Sequence, residues 1–408
     1  MEQVLTGQPS TAASTTAELL QAARKHLLFT ANRPEIVMAS GQGMYIQDTE
    51  GRSYIDFVGG WAVNALGHSP AVLREALTEQ ASRLVLASPA YFNEPMIRFA
   101  ELLTDISGMD KVFFGSTGAE ANECAVKLAR KHGALHLDGA HEIITMRNSF
   151  HGRTLAMMSA TGKQQWESLF EPKVPGFIHV PMGDLDACFS AVSNRTCAIM
   201  LELVQGEGGV HAVDEAYLFG LRKICDMYGI ALIFDEVQTG LGRTGKLFAW
   251  EHYGIKPDIM TLGKGIGGGY PLSATLAVDK FNLFEPGDQG GTYIGQPLGM
   301  AVGYAVVREL LDRRLTENAQ RQGGYLLGKL RLLESHNLVR NPRGLGLLAA
   351  FDMPNGLAAK LAARCMELGL LVNVTGESTI RLMPPLIAEQ RHIDEMADIL
   401  TAALLDIS

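Results

Sequence analysis

Asp235 and Glu236 close an apolar run, Ile230–Phe234, that reads as a buried strand. In an open α/β sheet, ligands bind beyond the carboxyl ends of the strands, so an acid there is a candidate ligand contact. A helix cap or a plain surface charge accounts for it equally well. Lys264 follows the next apolar run, Ile259–Leu262, and lies among five glycines and Tyr270. A solvated loop charge is the ordinary state of a lysine, yet glycines let a bulky group approach the backbone closely. A third stretch, Phe113-Phe114-Gly115-Ser116-Thr117-Gly118-Ala119-Glu120-Ala121-Asn122, goes from strand through a small-residue turn into a helix. Backbone N–H groups at that helix start, with two hydroxyls, suit a phosphate; an ordinary ST-turn and N-cap is the plainer alternative.

Three glycine-rich stretches invite other readings. Gly240-Leu-Gly-Arg-Thr-Gly-Lys246 fits most of a P-loop, but Leu247 follows and offers no hydroxyl for magnesium. Gly263, Gly265 and Gly268 match GxGxxG, but the residues after them read as a strand where a dinucleotide site needs a helix. Gly206–Gly209 reads as a tight connection whose backbone angles favour glycine.

These groups need a sheet to hold them. Expected strands are Lys111–Phe114, Glu142–Met146, Cys197–Val204, Ile230–Phe234, Ile259–Leu262 and Leu272–Val278, alternating with amphipathic stretches. The alternation predicts an α/β fold with a mostly parallel sheet. Asp214 is placed to cap a helix ending at Gly229, and a second helix, Glu120–Lys131, is expected to stop near Gly133. Gly43–Phe57 reads as a small meander turning at Glu50-Gly51, and short strands are expected near Leu347–Phe351 and Thr379–Leu382. The chain is thus divided into a large central domain over 62–298 and a smaller α+β domain. The smaller one joins 299–408 to the N-terminal segment 1–61.

Composition excludes several classes. With 408 residues, 47% hydrophobic and 19% charged, the chain is globular and long enough for two or three domains. A net charge of −9 argues against a general nucleic-acid binder. The longest apolar run, Leu298–Val307, falls short of the roughly 18 residues a membrane helix needs. The five cysteines (Cys124, Cys188, Cys197, Cys225, Cys365) have no CxxC spacing, so neither a disulfide framework nor a metal site is expected, and a cytoplasmic setting is. The Ser/Thr/Ala-rich start, Ser10–Thr16, reads as a frayed tail and not as a signal peptide.

The run Asp235-Glu-Val-Gln238-Thr-Gly-Leu-Gly-Arg-Thr-Gly-Lys246, with Lys264 29 positions after Asp235, resembles the class III (ω-amino acid) aminotransferases. Ser116–Asn122, Phe150-His-Gly-Arg-Thr154, Glu202-Leu-Val-Gln-Gly-Glu-Gly-Gly209, Gly291-Thr-Tyr293 and Ile380-Arg-Leu-Met-Pro-Pro385 match in the same order. The resemblance spans roughly Gly41–Leu386 and is closest to the acetylornithine and ornithine aminotransferase branch. It implies a fold type I enzyme that uses pyridoxal 5′-phosphate. By that resemblance Lys264 holds the cofactor as an imine and then carries the proton, and Asp235 pairs with the pyridinium nitrogen. Gln238 reaches the ring hydroxyl, while Phe150 and Val237 pack on its two faces. Ser116, Thr117, Gly118 and Ala119 surround the phosphate, and Thr292 binds it from the neighbouring subunit of a homodimer. His151 is a hydrogen-bonded residue without an acid–base role, and His68 stands as a further pocket candidate.

For substrates, the resemblance makes Arg153 the binder of a carboxylate. Arg381 binds the α-carboxylate of 2-oxoglutarate, and Glu202 neutralises Arg381 when the amino donor is bound. Trp61 and Gly291 stand at substrate-contact positions where relatives carry tyrosine and serine. Ala31 replaces a second tyrosine, Gln296 an asparagine, and Gly67-His68-Ser69-Pro70 is one residue shorter than the usual motif. The expected reaction moves a terminal amine from a donor such as N-acetylornithine to 2-oxoglutarate, giving a semialdehyde and glutamate. A 4-aminobutyrate, ornithine or diamine donor, or an aminomutase, stays open.

Overall fold

A computed structural model describes residues 14–354 and 356–407. Most of the Ser10–Thr16 stretch lies outside them. Within them, Thr15 caps a helix, Thr16–His26, through a capping box with Glu18.

Seven strands form the central sheet, in the order Lys111–Gly115, Ser273–Ala277, Ile259–Leu262, Ala231–Asp235, Thr196–Leu201, Glu142–Met146 and Phe177–Val180. Ser273–Ala277 runs antiparallel to both neighbours, and the other six run one way. Its middle is buried on both faces: Ala231–Asp235 and Ile259–Leu262 are buried at every position. That explains their unbroken apolar runs, because parallel strands covered by helices on both sides need no polar alternation.

The helix Glu215–Tyr228 starts at Asp214, whose carboxylate accepts the Tyr217 N–H, and stops at Gly229 in the left-handed region. Its apolar stripe of Leu218, Leu221, Ile224 and Cys225 covers one sheet face. The helix after the Ser-Thr turn is longer than its sequence suggests. It runs Gly118–His136 straight through Gly133. A Cβ at Gly133 would come within 1.9 Å of the Ala140 carbonyl, so glycine serves close packing there and is not a stop. The expected Cys197–Val204 strand breaks after Leu201, and Val204–Gln205 pairs instead with His211–Ala212. Phe177–Val180 is a strand the pattern missed, at the sheet edge, short and only partly buried.

The strands Met38–Gln42, Tyr45–Asp48 and Ser53–Asp56 form the expected meander. Ser53–Asp56 also pairs with Leu370–Leu371, tying the start of the chain to its end. A further sheet contains Arg340–Leu345, Leu348–Asp352, Thr379–Leu382 and Asn373–Thr375. The P-loop look-alike lies against this sheet. Arg243 is buried and donates to the carbonyls of Leu347 and Pro384, and a Cβ at Gly346 would collide with Thr244. Burial pulls the Arg243 pKa down to about 9, with no carboxylate paired to it among the described residues. Among the described residues, no helix is long and apolar enough to cross a membrane.

Candidate active site

Strand ends converge on a pocket of about 480 Å³ lined by Thr117, Gly118, Ala119, Phe150, Arg153, Glu202, Asp235, Val237, Gln238 and Lys264, among others. Ten of the residues singled out above therefore meet in one place. A larger cavity, about 740 Å³, opens nearby between Arg147, Lys163, Trp166 and His179. Its acid, Glu167, is exposed, whereas the smaller pocket sets the buried acids Glu202 and Asp235 beside Lys264, so the chemistry belongs to the smaller pocket.

Asp235 ends its strand 3% exposed. Its Oδ2 accepts from Asn122 Nδ2 (2.7 Å) and His151 Nδ1 (2.8 Å), and its Oδ1 from the Val237 N–H (3.0 Å). Asn122 is fixed in turn by Thr261 Oγ1. Burial disfavours a charged His151, but the hydrogen bond and charge of Asp235, with the charge of Glu202, outweigh it and raise its pKa.

Lys264 opens a short 3-10 turn with φ of 47°, a left-handed conformation that is strained for any side chain bearing a Cβ. Such strain persists only where surrounding structure enforces it, and it clusters at functional sites. Gly263 and Gly265 flank it. Burial, and then the nearby Arg381 charge, pull the Lys264 pKa down to about 8, against the pull of Glu207, Asp235 and Glu202. Among the described residues its amine has no hydrogen-bond partner.

The Thr117 turn divides its labour. Glu120 Oε2 accepts from the Ser116 and Thr117 N–H groups and from the Thr117 hydroxyl. The Thr117 hydroxyl is thus engaged in the helix cap while the residue still lines the pocket, and Ser116 lies outside the lining. Gly118 and Ala119, next in the helix, have no intrahelical acceptor for their N–H groups. A Cβ at Gly118 would stand 2.7 Å from Val237 Cγ1, so a side chain there would fill the cradle.

The largest correction concerns the glutamates. Glu202 does not pair with Arg381. It stands directly beyond the Thr196–Leu201 strand, level with Asp235, and accepts the Phe150 N–H at 2.9 Å. Burial, with the Asp235 charge adding, raises its pKa to about 7, although the charge on His151 pulls the other way. Glu207, five residues on, holds Arg381 instead, Oε1 to Nη2 at 2.6 Å. Burial alone would raise the Glu207 pKa, but Arg381 and Lys163 bring it down to about 2. Arg381 is 1% exposed and also donates to Asn373 Oδ1 and to Gln238 Oε1. Glycines flank Glu207 for space, not for backbone angles. A Cβ at Gly206 would meet Gln238 Oε1 at 1.6 Å, and one at Gly208 the Asn148 carbonyl at 2.8 Å; only Gly209 has a positive φ.

Arg153 is exposed and held by aromatic faces, its guanidinium carbon 4.5 Å from the Trp166 ring centroid and 5.9 Å from that of Phe150. Cation–π contacts of this kind fix the group while leaving its N–H fork open. Trp166 and Lys163 were absent from the sequence reading, since only the fold brings their loop here. Trp61 is 60% exposed in a left-handed Gly59-Gly60-Trp61-Ala62 turn. Asp56 Oδ1 caps that turn and its Oδ2 meets His68 Nε2 at 2.9 Å, so His68 supports the turn from outside the pocket lining. Gly291 and Thr292 are exposed and also absent from this pocket's lining. Gln296 caps the Pro297–Asp312 helix through Gly299 N and also reaches Tyr270 OH.

A buried strand-end acid, a strained, partly buried lysine and an open helix N-terminus on a mostly parallel sheet define a pyridoxal-phosphate transferase of fold type I. The profile of the Aminotransferase class-III family matches residues 29–404, and the chain belongs to that family. It is 44% identical to an acetylornithine aminotransferase of Caldanaerobacter subterraneus over 94% of this chain and 98% of that one. It is 46% identical to one of Ralstonia nicotianae over 93% and 96%. Among solved structures, ornithine aminotransferase from Toxoplasma gondii superposes with a TM-score of 0.92 at 30% identity, covering 97% of this chain and 96% of that one. Acetylornithine aminotransferase from Elizabethkingia anophelis does so at 0.86 and 33%, covering 97% and 100%. The protein is thus a transaminase of the pyridoxal-phosphate class. The unpartnered Lys264 amine and the cradle that a Cβ at Gly118 would fill fit that cofactor.

Proposed function

We propose that the enzyme transfers the terminal amine of N-acetylornithine, the donor its relatives are named for, to 2-oxoglutarate. The carrying observation is the unequal state of two arginines in one site: Arg153 has an open fork, and Arg381 is neutralised by Glu207. When bound, pyridoxal phosphate supplies an electron sink for the carbon that bears the amine.

The chain's own residues do the rest. Gly118 and Ala119 would present N–H groups to the phosphate, Asp235 would accept the hydrogen bond of the protonated ring nitrogen and keep it charged, and Val237 and Phe150 would hold the ring between them. With its Oε1 taken by Arg381, Gln238 would offer its amide N–H to the ring oxygen. Lys264 would anchor the cofactor and, with its amine free, would move the proton at the reacting carbon. Arg153 orients the donor by its carboxylate, so the distal amine points inward. Glu207 covers the charge of Arg381 while an uncharged chain segment passes. An incoming α-carboxylate displaces Glu207 and takes Arg381, with the far carboxylate of 2-oxoglutarate on Arg153.

The enzyme is a homodimer in this reading, because Gly291, Thr292 and Tyr293 are exposed and would complete a neighbour's site. It works in the cytoplasm, in keeping with five free, buried thiols. The division into 62–298 and a joined N- and C-terminal unit is supported by the pairing of Ser53–Asp56 with Leu370–Leu371. Steady-state turnover across a panel of amines tests the donor. N-acetylornithine should give the highest kcat/KM, and a higher value for ornithine or 4-aminobutyrate would reject the assignment.

A further inference from the structure

Glu207 touches two cations. Its Oε1 meets Arg381, and its Oε2 lies 3.4 Å from Lys163 Nζ. The two contacts differ in how replaceable they are. Arg381 keeps Asn373 and Gln238 as partners if Glu207 leaves. Glu207 has only a side chain to move, since its carbonyl is fixed by the Thr375 hydroxyl at 2.7 Å. Its side chain is 27% exposed, against 1% for Arg381 and 15% for Lys163. Lys163 is itself held in place, its amine 5.2 Å from the Phe150 ring centroid and 5.3 Å from that of Trp166. Those are the two rings that carry Arg153.

We infer that Lys163 is the positioning residue that receives Glu207 when an α-carboxylate takes Arg381. A displaced carboxylate in a part-buried pocket would otherwise be left unpaired, which opposes displacement. Lys163 already holds one of its oxygens, so the move needs a side-chain rotation and no new partner. The residue therefore sets the balance between the two substrates: it favours the one with an α-carboxylate and is indifferent to the one that leaves Glu207 on Arg381. This rests on the reading of Glu207 as the cover of Arg381.

The test is calorimetric binding to the holoenzyme of two unreactive ligands, together with steady-state kinetics. Glutarate carries both carboxylates of 2-oxoglutarate. N-acetylnorvaline carries the donor's carboxylate and amide but no distal amine. Lys163→Gln should weaken glutarate about tenfold, the scale of one charge-assisted contact, and leave N-acetylnorvaline unchanged. The KM for 2-oxoglutarate should rise by the same factor with the donor half-reaction rate unaltered, and Lys163→Arg should restore both. Glu207→Gln serves as the control: it should tighten glutarate, and adding Lys163→Gln to it should then change nothing. If Glu207→Gln leaves glutarate binding as it was, the underlying reading of Glu207 fails. If it tightens glutarate while Lys163→Gln has no effect, or weakens both ligands alike, the inference about Lys163 alone is wrong; the second pattern would assign Lys163 to the carboxylate on Arg153.

Discussion

Asp235, at the pocket floor, accepts hydrogen bonds from Asn122, His151 and its own loop, whereas Arg153, at the mouth, rests only on the faces of Phe150 and Trp166. At the floor, Asp235 and Glu202 are buried, hydrogen-bonded and set at strand ends. The mouth is exposed, and the remaining expected residues, Trp61, Gly291 and Thr292, are exposed outside the pocket lining. Chemistry common to every substrate is thus placed on strand ends, and discrimination is placed where side chains keep spare hydrogen-bonding capacity. Between them lies Glu207, charged, part-exposed and shared by two cations.

Substitution at the floor should have the largest effect. Lys264→Ala is expected to lower turnover by about 10⁴-fold or more, since both anchoring and proton transfer go with the amine. Turnover within a hundredfold of wild type would remove the lysine from the chemistry and erase the contrast with the mouth.

At the mouth, a subunit-mixing experiment sharpens the comparison. Thr292→Ala should weaken cofactor retention roughly ten- to hundredfold, the loss of one bond to a charged group. A hybrid of Lys264→Ala and Thr292→Ala subunits should regain up to half the wild-type activity at limiting cofactor, because one of its sites has both residues. No recovery on mixing would mean that the mouth is completed within one chain.

A smaller effect is the pH response of cofactor uptake by the apoenzyme. Below its depressed pKa of about 8, Lys264 is an ammonium and cannot attack; above it, the free amine can. The uptake rate should rise and level off with an inflection near pH 8. A rate still climbing beyond pH 10 would describe an ordinary solvated lysine.

The floor was legible in the sequence because one-dimensional order carries it. Asp235 follows its strand directly, Lys264 follows the next, and the Ser-Thr-Gly turn precedes a helix, so strand-end placement falls out of hydrophobic pattern and turn chemistry. The mouth was less legible because it is assembled across the fold. Nothing in the spacing of Asp56 and His68, or of Arg153 and Trp166, announces their contact. The misassignment of Glu202 has a local physical reason. Two glutamates five residues apart share one motif, and the deciding signal was their position relative to the strand. Glu202 directly ends a strand and so belongs with Asp235, while Glu207 sits among glycines on the loop beyond, where a side chain reaches the C-terminal sheet. Gly133 misled for a related reason, since a glycine needed for close packing looks in sequence like a helix stop.

The account stands most directly on which glutamate governs Arg381. Single-turnover rates with N-acetylornithine and with glutamate, on wild type, Glu207→Gln and Glu202→Gln, decide it. Glu207→Gln should shift the ratio of the two rates toward glutamate by roughly ten- to hundredfold, the worth of a charge-assisted pair. Glu202→Gln should change both rates by a common factor and leave the ratio as in wild type. A ratio that moves with Glu202 and not with Glu207 would contradict the account.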